Sequence, residues 1–396
     1  MKRKISILPL LLIFLFFIAL NWYVLSGIQI VFTSPTVIYG FWIFILIATG
    51  LLVYSVFTMQ SRGMGLLFKF STHLFLILFT AEVVFAIVLL IGDIYRLLLG
   101  VPRSVLWIDF DLILIFLLVL AFTYGIVRGK YAYRVVKHTL HFKDLPAAFD
   151  GFTITQISDV HAGSFTNPAA VQRGIDLIKA QKSDLFVFTG DMVNNKAEEI
   201  QPWLDHFSQI KAPYGQFSVL GNHDYGDYVK WENELIKQGN LQQLKKYHAE
   251  LGYRLLLDEH VELQKDGQKI ILAGVENWGL GFGERGDLQK ALNGTQGSDF
   301  KVLLSHDPSH WEAQVKTNPS KVHLTLAGHT HGMQFGIEAF GIKWSPVKYR
   351  YAHWAGVKED NGRYLNVNRG FGFIGFSGRV GIWPEITVIE LKRTAD

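Results

Sequence analysis

Five short polar motifs in the last two-thirds of the chain constrain its fold more than any other feature of the sequence. Each motif places Asp, Asn or His directly after a short apolar run of the kind that forms a buried strand. Strand and helix patterns alternate around the first three, which predicts βαβ units with a largely parallel sheet. The motifs, in chain order, are Asp159-Val160-His161, Gly190-Asp191, Gly221-Asn222-His223-Asp224, Ser305-His306-Asp307 and Gly328-His329-Thr330-His331-Gly332.

Local signals place the other elements of this part of the chain. Asn167 before Pro168 predicts a helix cap, and the helix continues to about residue 182. Further helices are expected at about 197–210 and 229–251, and a hairpin at 261–264 and 269–273 that turns at Asp266-Gly267. A strand over about 131–142 begins this region, and one over 386–391 ends it.

Four apolar stretches in the first third are each long enough to cross a bilayer, for which about 20 residues suffice. They lie at about 5–25, 37–57, 72–91 and 105–127. The first is longer than the apolar run of a signal peptide, which spans about 7–15 residues, and no small-residue cleavage site follows it. The sequence therefore predicts a transmembrane region of four helices over 1–127 and a second domain over 128–396.

Basic residues flank the four stretches unevenly. The loops on one side carry only Arg96 and Arg103, whereas the other side carries Lys2, Arg3, Lys4, Arg62, Lys69, Arg128, Lys130 and Arg134. Because short basic loops are retained in the cytoplasm, we expect an integral, multi-pass protein of the cell membrane whose second domain is cytoplasmic.

Glu82 lies in the middle of the third apolar stretch. An acid at this depth is a candidate for transport or proton relay, but a carboxyl group turned into a helix bundle and hydrogen-bonded there is also consistent with the sequence. The chain contains no cysteine, which excludes disulfides, thiolate metal ligands and cysteine nucleophiles. A net charge of +4 without long runs of like charge gives no support to a nucleic-acid polymer as partner.

The residue types in the motifs suit a pair of divalent cations. Carboxylate, amide and imidazole groups are ligands for hard to borderline metals, and two cations about 3.5–4 Å apart can act on both oxygens of a displacement at phosphorus. We expect Asp191 to bridge them, because the preceding glycine lets the backbone turn sharply. Asn222 adds an oxygen without negative charge.

His223 follows a predicted ligand but is expected to point elsewhere. A protonated imidazole at this position suits donation to a phosphoryl or leaving-group oxygen, with Asp224 as the group that orients it. The attacking nucleophile would then be a hydroxide on the cations, since bound cations lower the pKa of coordinated water.

Together the motifs resemble the signature of the calcineurin-like metallophosphoesterases: D-x-H, G-D, G-N-H-[DE], a lone H and G-H-x-H. The resemblance covers about 152–391 in order and spacing. It implies a phosphoric ester hydrolase with a four-layer α/β sandwich, two mixed sheets flanked by helices, here preceded by the four-helix transmembrane region. Within the family the chain is similar to a branch with bacterial UDP-diacylglucosamine pyrophosphatases and eukaryotic transmembrane proteins, although four spans are unusual for that branch.

The resemblance also implies roles for individual residues. His223 would be the catalytic imidazole, Asp191 would bridge, and the metals would be two among Mn, Fe, Zn, Ni and Mg. One metal would be held by Asp159, His161, Asp191 and His331, and the other by Asp191, Asn222, His306 and His329.

Three functions remain open from the sequence. The first is hydrolysis of a phosphodiester, phosphomonoester or pyrophosphate bond in a membrane-associated, lipid-linked substrate. The second is the same hydrolysis of a soluble nucleotide or cyclic nucleotide, and the third is a non-enzymatic membrane sensor or transport component. Aromatic and basic residues after His331 suit either an interface with anionic lipid or the packed sandwich; they are Phe335, Phe340, Trp344, Tyr349, Tyr351, Trp354, Lys343, Lys348 and Arg350.

Overall fold

Two units make up the computed structural model of the chain, Met1–Tyr124 and Gly125–Asp396. The structure describes residues 7–62, 65–339 and 341–394. Lys2, Arg3, Lys4 and Phe340, which carry part of the sequence predictions, lie outside the described residues.

Four long helices begin the chain, and all are long and apolar enough to cross a membrane. They are Ile7–Val31 (α1), Pro35–Arg62 (α2), Leu66–Leu99 (α3) and Val105–Val127 (α4). Helix α3 extends beyond the predicted 72–91 because charged side chains lower the hydropathy without ending the helix. Asp93 and Arg96 form an i, i+3 ion pair at 2.7 Å in its last turns, and Gly100 ends it with φ of 67°.

Some polar side chains inside the helical unit have hydrogen-bond partners from distant parts of the unit. The amide of Asn21 on α1 donates to the Glu82 carboxylate on α3 over 3.4 Å. Near one end of the same helices, the Asp93 carboxylate accepts from Tyr23 at 2.9 Å and from Arg103 at 2.5–2.6 Å. Glu82 therefore has the hydrogen-bonded arrangement that the sequence left as one of two alternatives.

The second unit is built on two six-stranded sheets and two short ribbons. The first sheet has the order β1-β16-β2-β3-β4-β5 and the second the order β14-β15-β11-β10-β7-β6, while β8-β9 and β12-β13 pair separately. The strands are Arg134–Phe142 (β1), Thr153–Ile157 (β2), Leu185–Thr189 (β3), Gln216–Val219 (β4), Arg254–Leu255 (β5), Glu259–Lys265 (β6), Gln268–Gly274 (β7), Trp278–Gly279 (β8), Gly283–Glu284 (β9), Lys301–Leu304 (β10), Leu324–Ala327 (β11), Ile337–Ala339 (β12), Ile342–Trp344 (β13), Gly356–Asp360 (β14), Arg363–Val367 (β15) and Glu385–Arg393 (β16).

Both sheets are mixed around a parallel centre. Strands β2 to β5 run parallel to one another, and β16 pairs antiparallel with β2 and parallel with β1. Strands β7, β10, β11 and β15 are likewise parallel, with β6 and β14 antiparallel at the edges. The carboxyl ends of the central strands therefore lie together at one edge of each sheet.

The helices of this unit are Pro168–Ala180 (α5), Leu204–Phe207 (α6), Glu234–Leu251 (α7) and Leu288–Ala291 (α8). The Asn167 side chain caps α5 by accepting from the N–H of Ala170, as the sequence indicated. The helix expected over 197–210 is instead a 3₁₀ segment, Ala197–Trp203, followed by the single turn of α6. Pro202 within it lacks the N–H that a continuous α-helix needs.

Strand β3 shows how the layers are held together, since its side chains alternate between two cores. Leu185 and Val187 pack between the two sheets, and Phe186 and Phe188 pack under helices α5 and α7. A third core lies on the outer face of the second sheet, against α8 and the turn at Trp311. The architecture is the predicted four-layer α/β sandwich.

Candidate metal centre

The five motifs all follow strands that point to the same edge of the sandwich. Asp159 comes after β2, Asp191 after β3 and Asn222 after β4 in the first sheet. His306 follows β10 and His329 follows β11 in the second sheet. Residues separated by up to 172 positions in the chain are thus delivered to one place, as the βαβ pattern predicted.

The backbone at this edge is held in an unusual conformation. A positive φ is costly for residues other than glycine and persists only where the surrounding structure imposes it. Such clustering is typical of functional sites. Five of the seven predicted ligands have positive φ: Asp159 (53°), His161 (46°), Asp191 (61°), His329 (69°) and His331 (49°).

Two glycines in the motifs permit a close approach between neighbouring loops. A Cβ atom at Gly221 would overlap the Asp191 carboxylate. A Cβ atom at Gly328 would overlap the Ser158 hydroxyl and the Asp159 carboxylate. The glycines therefore leave room for the carboxylates to stand beside the adjoining strand ends.

The first cluster consists of Asp159, His161 and His331, whose ligand atoms lie within 4.8 Å of one another. All three side chains are buried. The Nε2 atoms of His161 and His331 are 3.0 Å apart, and His331 Nε2 is 3.3 Å from Asp159 Oδ1. Both oxygens of the Asp159 carboxylate accept the backbone N–H of His329, each at 3.0 Å.

The second cluster consists of Asp191, His306 and His329, also with ligand atoms within 4.8 Å. His306 Nε2 lies 3.1 Å from Asp191 Oδ2 and 3.3 Å from His329 Nδ1. The buried Asn222 adds its Oδ1 atom 2.9 Å from the same His329 nitrogen. Asn222 therefore stands with this cluster.

One oxygen atom connects the two clusters. Asp191 Oδ2 is 3.1 Å from His306 Nε2 in the second cluster and 3.5 Å from His161 Nε2 in the first. The other oxygen of this carboxylate accepts the backbone N–H of His223 at 2.8 Å. This leaves Oδ2 facing both groups of imidazoles.

Burial keeps most of these imidazoles neutral. It lowers the pKa of His161 to about 3 and that of His329 to about 4, and it also lowers the pKa of His331. A neutral imidazole has a free lone pair, which is the form that binds metals. The buried donors therefore suit cations.

His306 differs from the other three imidazoles in its electrostatic surroundings. Burial lowers its pKa, but the Asp191 carboxylate, the Asp159 carboxylate and the Thr189 carbonyl together outweigh burial and raise the pKa to about 10. His306 Nδ1 lies 2.7 Å from the Thr189 carbonyl oxygen, which leaves Nε2 for the carboxylate. Positive charge is thus stabilised between His306 and Asp191.

His223 lies beside the two clusters and is only half-buried. Its Nδ1 atom is 2.8 Å from the Asn194 carbonyl oxygen, and its ring stands edge-on to the ring of His161 at 5.0 Å. The Tyr228 ring packs against its other side at 4.4 Å. With Nδ1 engaged by a carbonyl, Nε2 is the nitrogen available to a substrate.

The sequence predicted that Asp224 orients His223, but in the structure the two side chains have other hydrogen-bond partners. The buried Asp224 carboxylate instead accepts the backbone N–H groups of Gly221 and Asp191, both at 2.9 Å, and that of Met192 at 2.8 Å. With the N–H of Val193 at 3.3 Å, four N–H groups from two loops converge on it, so its side chain joins the loops that present Asp191 and Asn222. The hydrogen-bond partner of the His223 ring is the carbonyl oxygen of Asn194.

Three further residues adjoin the ligands directly or through one hydrogen bond, and the sequence interpretation gave none of them a role at the metal centre. Asp307 Oδ2 is 3.3 Å from His329 Nε2 and accepts the Tyr351 hydroxyl at 3.0 Å. Arg379, fully buried, has Nη2 3.2 Å from His331 Nδ1. Asp307 adjoins His306 in its motif and could have been noticed, but Tyr351 and Arg379 carry no local signal.

The fold and the convergent ligands define a metal-dependent phosphoesterase, and family comparisons agree. Residues 152–333 match the family model described as "Calcineurin-like phosphoesterase". Residues 3–130 match the one described as "Probable Calcineurin-like phosphoesterase, transmembrane domain". The chain belongs to the calcineurin-like phosphoesterase family and is a membrane-spanning hydrolase.

Three curated relatives illustrate the range of the family. The chain is 31% identical to the uncharacterized metallophosphoesterase YkuE of Bacillus subtilis over 276 residues, 68% of this chain and 90% of that one. It is 27% identical to the transmembrane protein with metallophosphoesterase domain of Danio rerio over 68% of this chain and 60% of the relative. It is 27% identical to the UDP-2,3-diacylglucosamine pyrophosphatase LpxG of Chlamydia muridarum over 48% of this chain and 67% of the relative.

Proposed function

We propose that this chain hydrolyses a phosphodiester, phosphomonoester or pyrophosphate bond with two divalent cations held side by side. The observation that carries the proposal is the position of Asp191 Oδ2 between His161 of the first cluster and His306 of the second. A carboxylate oxygen so placed can serve two cations at once.

The donor atoms fit such a pair. Asp159, His161 and His331 would hold one cation and His306, His329 and Asn222 the other, with Asp191 shared. When bound, divalent cations lower the pKa of coordinated water and neutralise charge on a phosphoryl group. Oxygen and nitrogen donors without thiolates are compatible with Mn, Fe, Zn, Ni or Mg.

His223 would act on the substrate directly. The Asn194 carbonyl holds its Nδ1–H, so the ring has one fixed orientation. In its protonated form, Nε2–H can donate to a phosphoryl or leaving-group oxygen. General acid catalysis of this kind contributes about 10²–10⁴-fold to the rate.

The test uses the full-length chain in detergent with an aryl phosphodiester. We expect turnover to require a divalent cation and to cease with a chelator. His223→Ala should lower kcat by about 10²–10⁴-fold without changing metal content. His141→Ala, which removes an exposed histidine of β1, is the matched control and should leave turnover unchanged. Hydrolysis that survives both chelation and His223→Ala would refute the proposal.

We further propose that the substrate is associated with the membrane. The four candidate spans immediately precede the hydrolase unit, which concentrates the site near the bilayer. One relative is a pyrophosphatase whose named substrate, UDP-2,3-diacylglucosamine, carries acyl chains. Product analysis with lipid-linked and soluble nucleotide substrates decides: a preference for soluble cyclic or dinucleotides would reject the lipid-linked substrate.

The cytoplasmic location of the hydrolase unit is also a proposal, supported by the basic flanks. Because the chain lacks cysteine, a single Lys182→Cys variant can be labelled in intact cells with a membrane-impermeant maleimide. We expect labelling only after the cells are permeabilised. Labelling of intact cells would place the unit outside.

A further inference from the structure

The short ribbon of β12 and β13 has one apolar face and one polar face. The antiparallel register pairs Ile337 with Trp344 and Ala339 with Ile342. Residues that pair across strands share a face, so these four side chains lie together. The opposite face carries the pair Glu338 and Lys343.

The polar face of this ribbon is attached to the body of the hydrolase unit. The Glu338 carboxylate forms an ion pair with Arg369 at 2.5 Å, and Arg369 also pairs with the buried Glu385. On the neighbouring strand, the Lys343 ammonium donates to the Ala355 carbonyl oxygen at 2.5 Å. These contacts fix which way the ribbon faces.

The apolar face is consequently turned outward. Ile337 is 50% exposed and Ile342 is 56% exposed. A ribbon on the surface of a soluble protein ordinarily buries its apolar face and exposes its charges. Here the apolar face is exposed, which is expected where the surrounding medium is itself apolar.

Exposed apolar side chains of the second unit fall in a few short segments of the chain. Among the described residues from 131 to 394, ten large hydrophobic side chains are exposed, and all except Leu177 fall within 228–236, at 280 or within 333–349. Tyr349 is 78% exposed. By contrast, Tyr351 and Trp354, which the sequence also offered for a lipid interface, are buried in a small core with Val347.

The same segments border the candidate site. Tyr228 packs against His223, and the Phe282 ring lies 4.6 Å from the ring of His329. Met333, which is 57% exposed, follows the candidate ligand His331 by two residues. Three of the segments that expose apolar side chains therefore lie next to the catalytic groups.

Within the second unit, the ribbon also adjoins the point where α4 ends. The N–H of Gly336 donates to the Val380 carbonyl at 2.9 Å. The neighbouring N–H of Arg379 donates to the Gly125 carbonyl, in the last turn of α4, at 3.1 Å. Within the second unit, the end of α4 and the ribbon are thus hydrogen-bonded to two successive residues, Arg379 and Val380.

We propose that the apolar face of the β12–β13 ribbon inserts into the surface of the bilayer and that the catalytic site opens toward the lipid. The basic side chains Lys348 and Arg350 next to it are exposed and suit anionic headgroups. This inference deepens the proposed function. It rests on that function only for the identity of the catalytic site. The substrate would be taken from the lipid surface.

Site-directed spin labelling tests the insertion without measuring activity. The full chain contains no cysteine, so Ile342→Cys and Ile337→Cys can each carry a single nitroxide. In nanodiscs of phosphatidylcholine and phosphatidylglycerol, we expect accessibility to oxygen and protection from a water-soluble nickel complex, at a depth of about 5–10 Å. Leu177→Cys on α5, the exposed hydrophobic residue away from this face, should show the reverse.

Two results would overturn the inference. A label at residue 342 that the nickel complex reaches as readily as the label at residue 177 would place the ribbon in water. A label shielded from both oxygen and nickel would place it against protein.

Charged substitutions provide an activity readout. Ile337→Glu with Ile342→Glu should lower turnover of a vesicle-embedded lipid phosphodiester by about tenfold or more, because two apolar side chains lose their burial. Turnover of a soluble aryl phosphodiester should stay unchanged, as should both activities in Leu177→Glu. Equal turnover of vesicle substrate by wild type and double variant would contradict lipid insertion. If the wild-type chain hydrolyses neither substrate while the label still reports a lipid environment, the proposed function is rejected but the insertion is not.

Discussion

The two clusters of the metal centre use similar ligands, but different groups stand behind them. In the second cluster, the Asp307 carboxylate lies 3.3 Å from the outer nitrogen of His329. In the first, the Arg379 guanidinium lies 3.2 Å from the outer nitrogen of His331. One imidazole is thus backed by an anion and the other by a cation.

This difference has consequences for cation affinity. A carboxylate behind a histidine ligand fixes its tautomer and raises its basicity, whereas a nearby guanidinium repels an incoming cation. Burial lowers the pKa of Arg379, but only to about 10, so the side chain remains charged at neutral pH. We therefore expect the second cluster to bind its metal more tightly than the first.

The largest effect should come from Asp191→Asn, which should weaken metal binding by both clusters and so remove the difference in affinity between them. The neutral amide removes the charge shared by His161 and His306. Metal content should fall from two ions toward none, and turnover should drop by more than the about 100-fold typical of losing an outer-shell partner. Elemental analysis with steady-state kinetics measures both. Retention of one tightly bound ion would show that Asp191 serves a single cluster.

Asp307→Asn should abolish the advantage of the second cluster. Loss of the carboxylate behind His329 is expected to weaken the tighter metal by about 10–100-fold, with the weaker metal unchanged. Competition titration with a fluorescent chelator resolves the two affinities, and Asp205→Asn, an exposed acid of α6, is the control. If the weaker metal changes instead, the assignment of Asp307 to the second cluster is mistaken.

Arg379→Met should act in the opposite direction on the first cluster. Removing the guanidinium should strengthen binding of the weaker metal. The carbonyls of Gly370 and Gly372, however, lose the hydrogen bonds that Arg379 donates. We expect the free energy of unfolding to fall by about 1–3 kcal/mol. Calorimetry measures the stability, and chelator competition the affinity.

Arg379→Lys separates the two effects, because it retains the charge but not the forked hydrogen bonds. It should lose stability without the gain in affinity. Weaker metal binding in Arg379→Met than in Arg379→Lys would contradict the electrostatic explanation.

The smallest effect is expected from Tyr351→Phe. This change removes one hydrogen bond to Asp307, worth about 1 kcal/mol, and so should weaken the second metal by only a few-fold. Tyr364→Phe, at a hydroxyl whose contact is the His141 carbonyl at 3.4 Å, is the control and should leave both metals unchanged. An effect as large as that of Asp307→Asn would mean that Tyr351 contacts the metal site directly.

The sequence predicted the fold where local signals are strong. Four helices followed from apolar stretches alone, because a segment in lipid must satisfy its own backbone hydrogen bonds. The limits of α3 could not be predicted in this way, because Asp93 and Arg96 end the apolar stretch but not the helix. Pro202 similarly altered a segment whose periodicity indicated a plain α-helix.

Predictions about the site divide in the same way. The candidate ligands could be named because each follows a strand in its own motif. The hydrogen-bond partner of His223 could not be named. Asp224 is adjacent in sequence, but its carboxylate accepts four backbone N–H groups, and the Asn194 carbonyl comes from another loop.

By itself, the sequence determined a membrane-spanning helical region, an α/β unit and the set of polar residues at its strand ends, since periodicity and hydropathy are properties of neighbouring residues. The tertiary structure alone decided which groups stand behind each imidazole and which face of the β12–β13 ribbon points outward. Both depend on contacts between residues far apart in the chain, such as Arg379 with His331 and Glu338 with Arg369. Such contacts arise from packing and leave no periodic signal in the sequence.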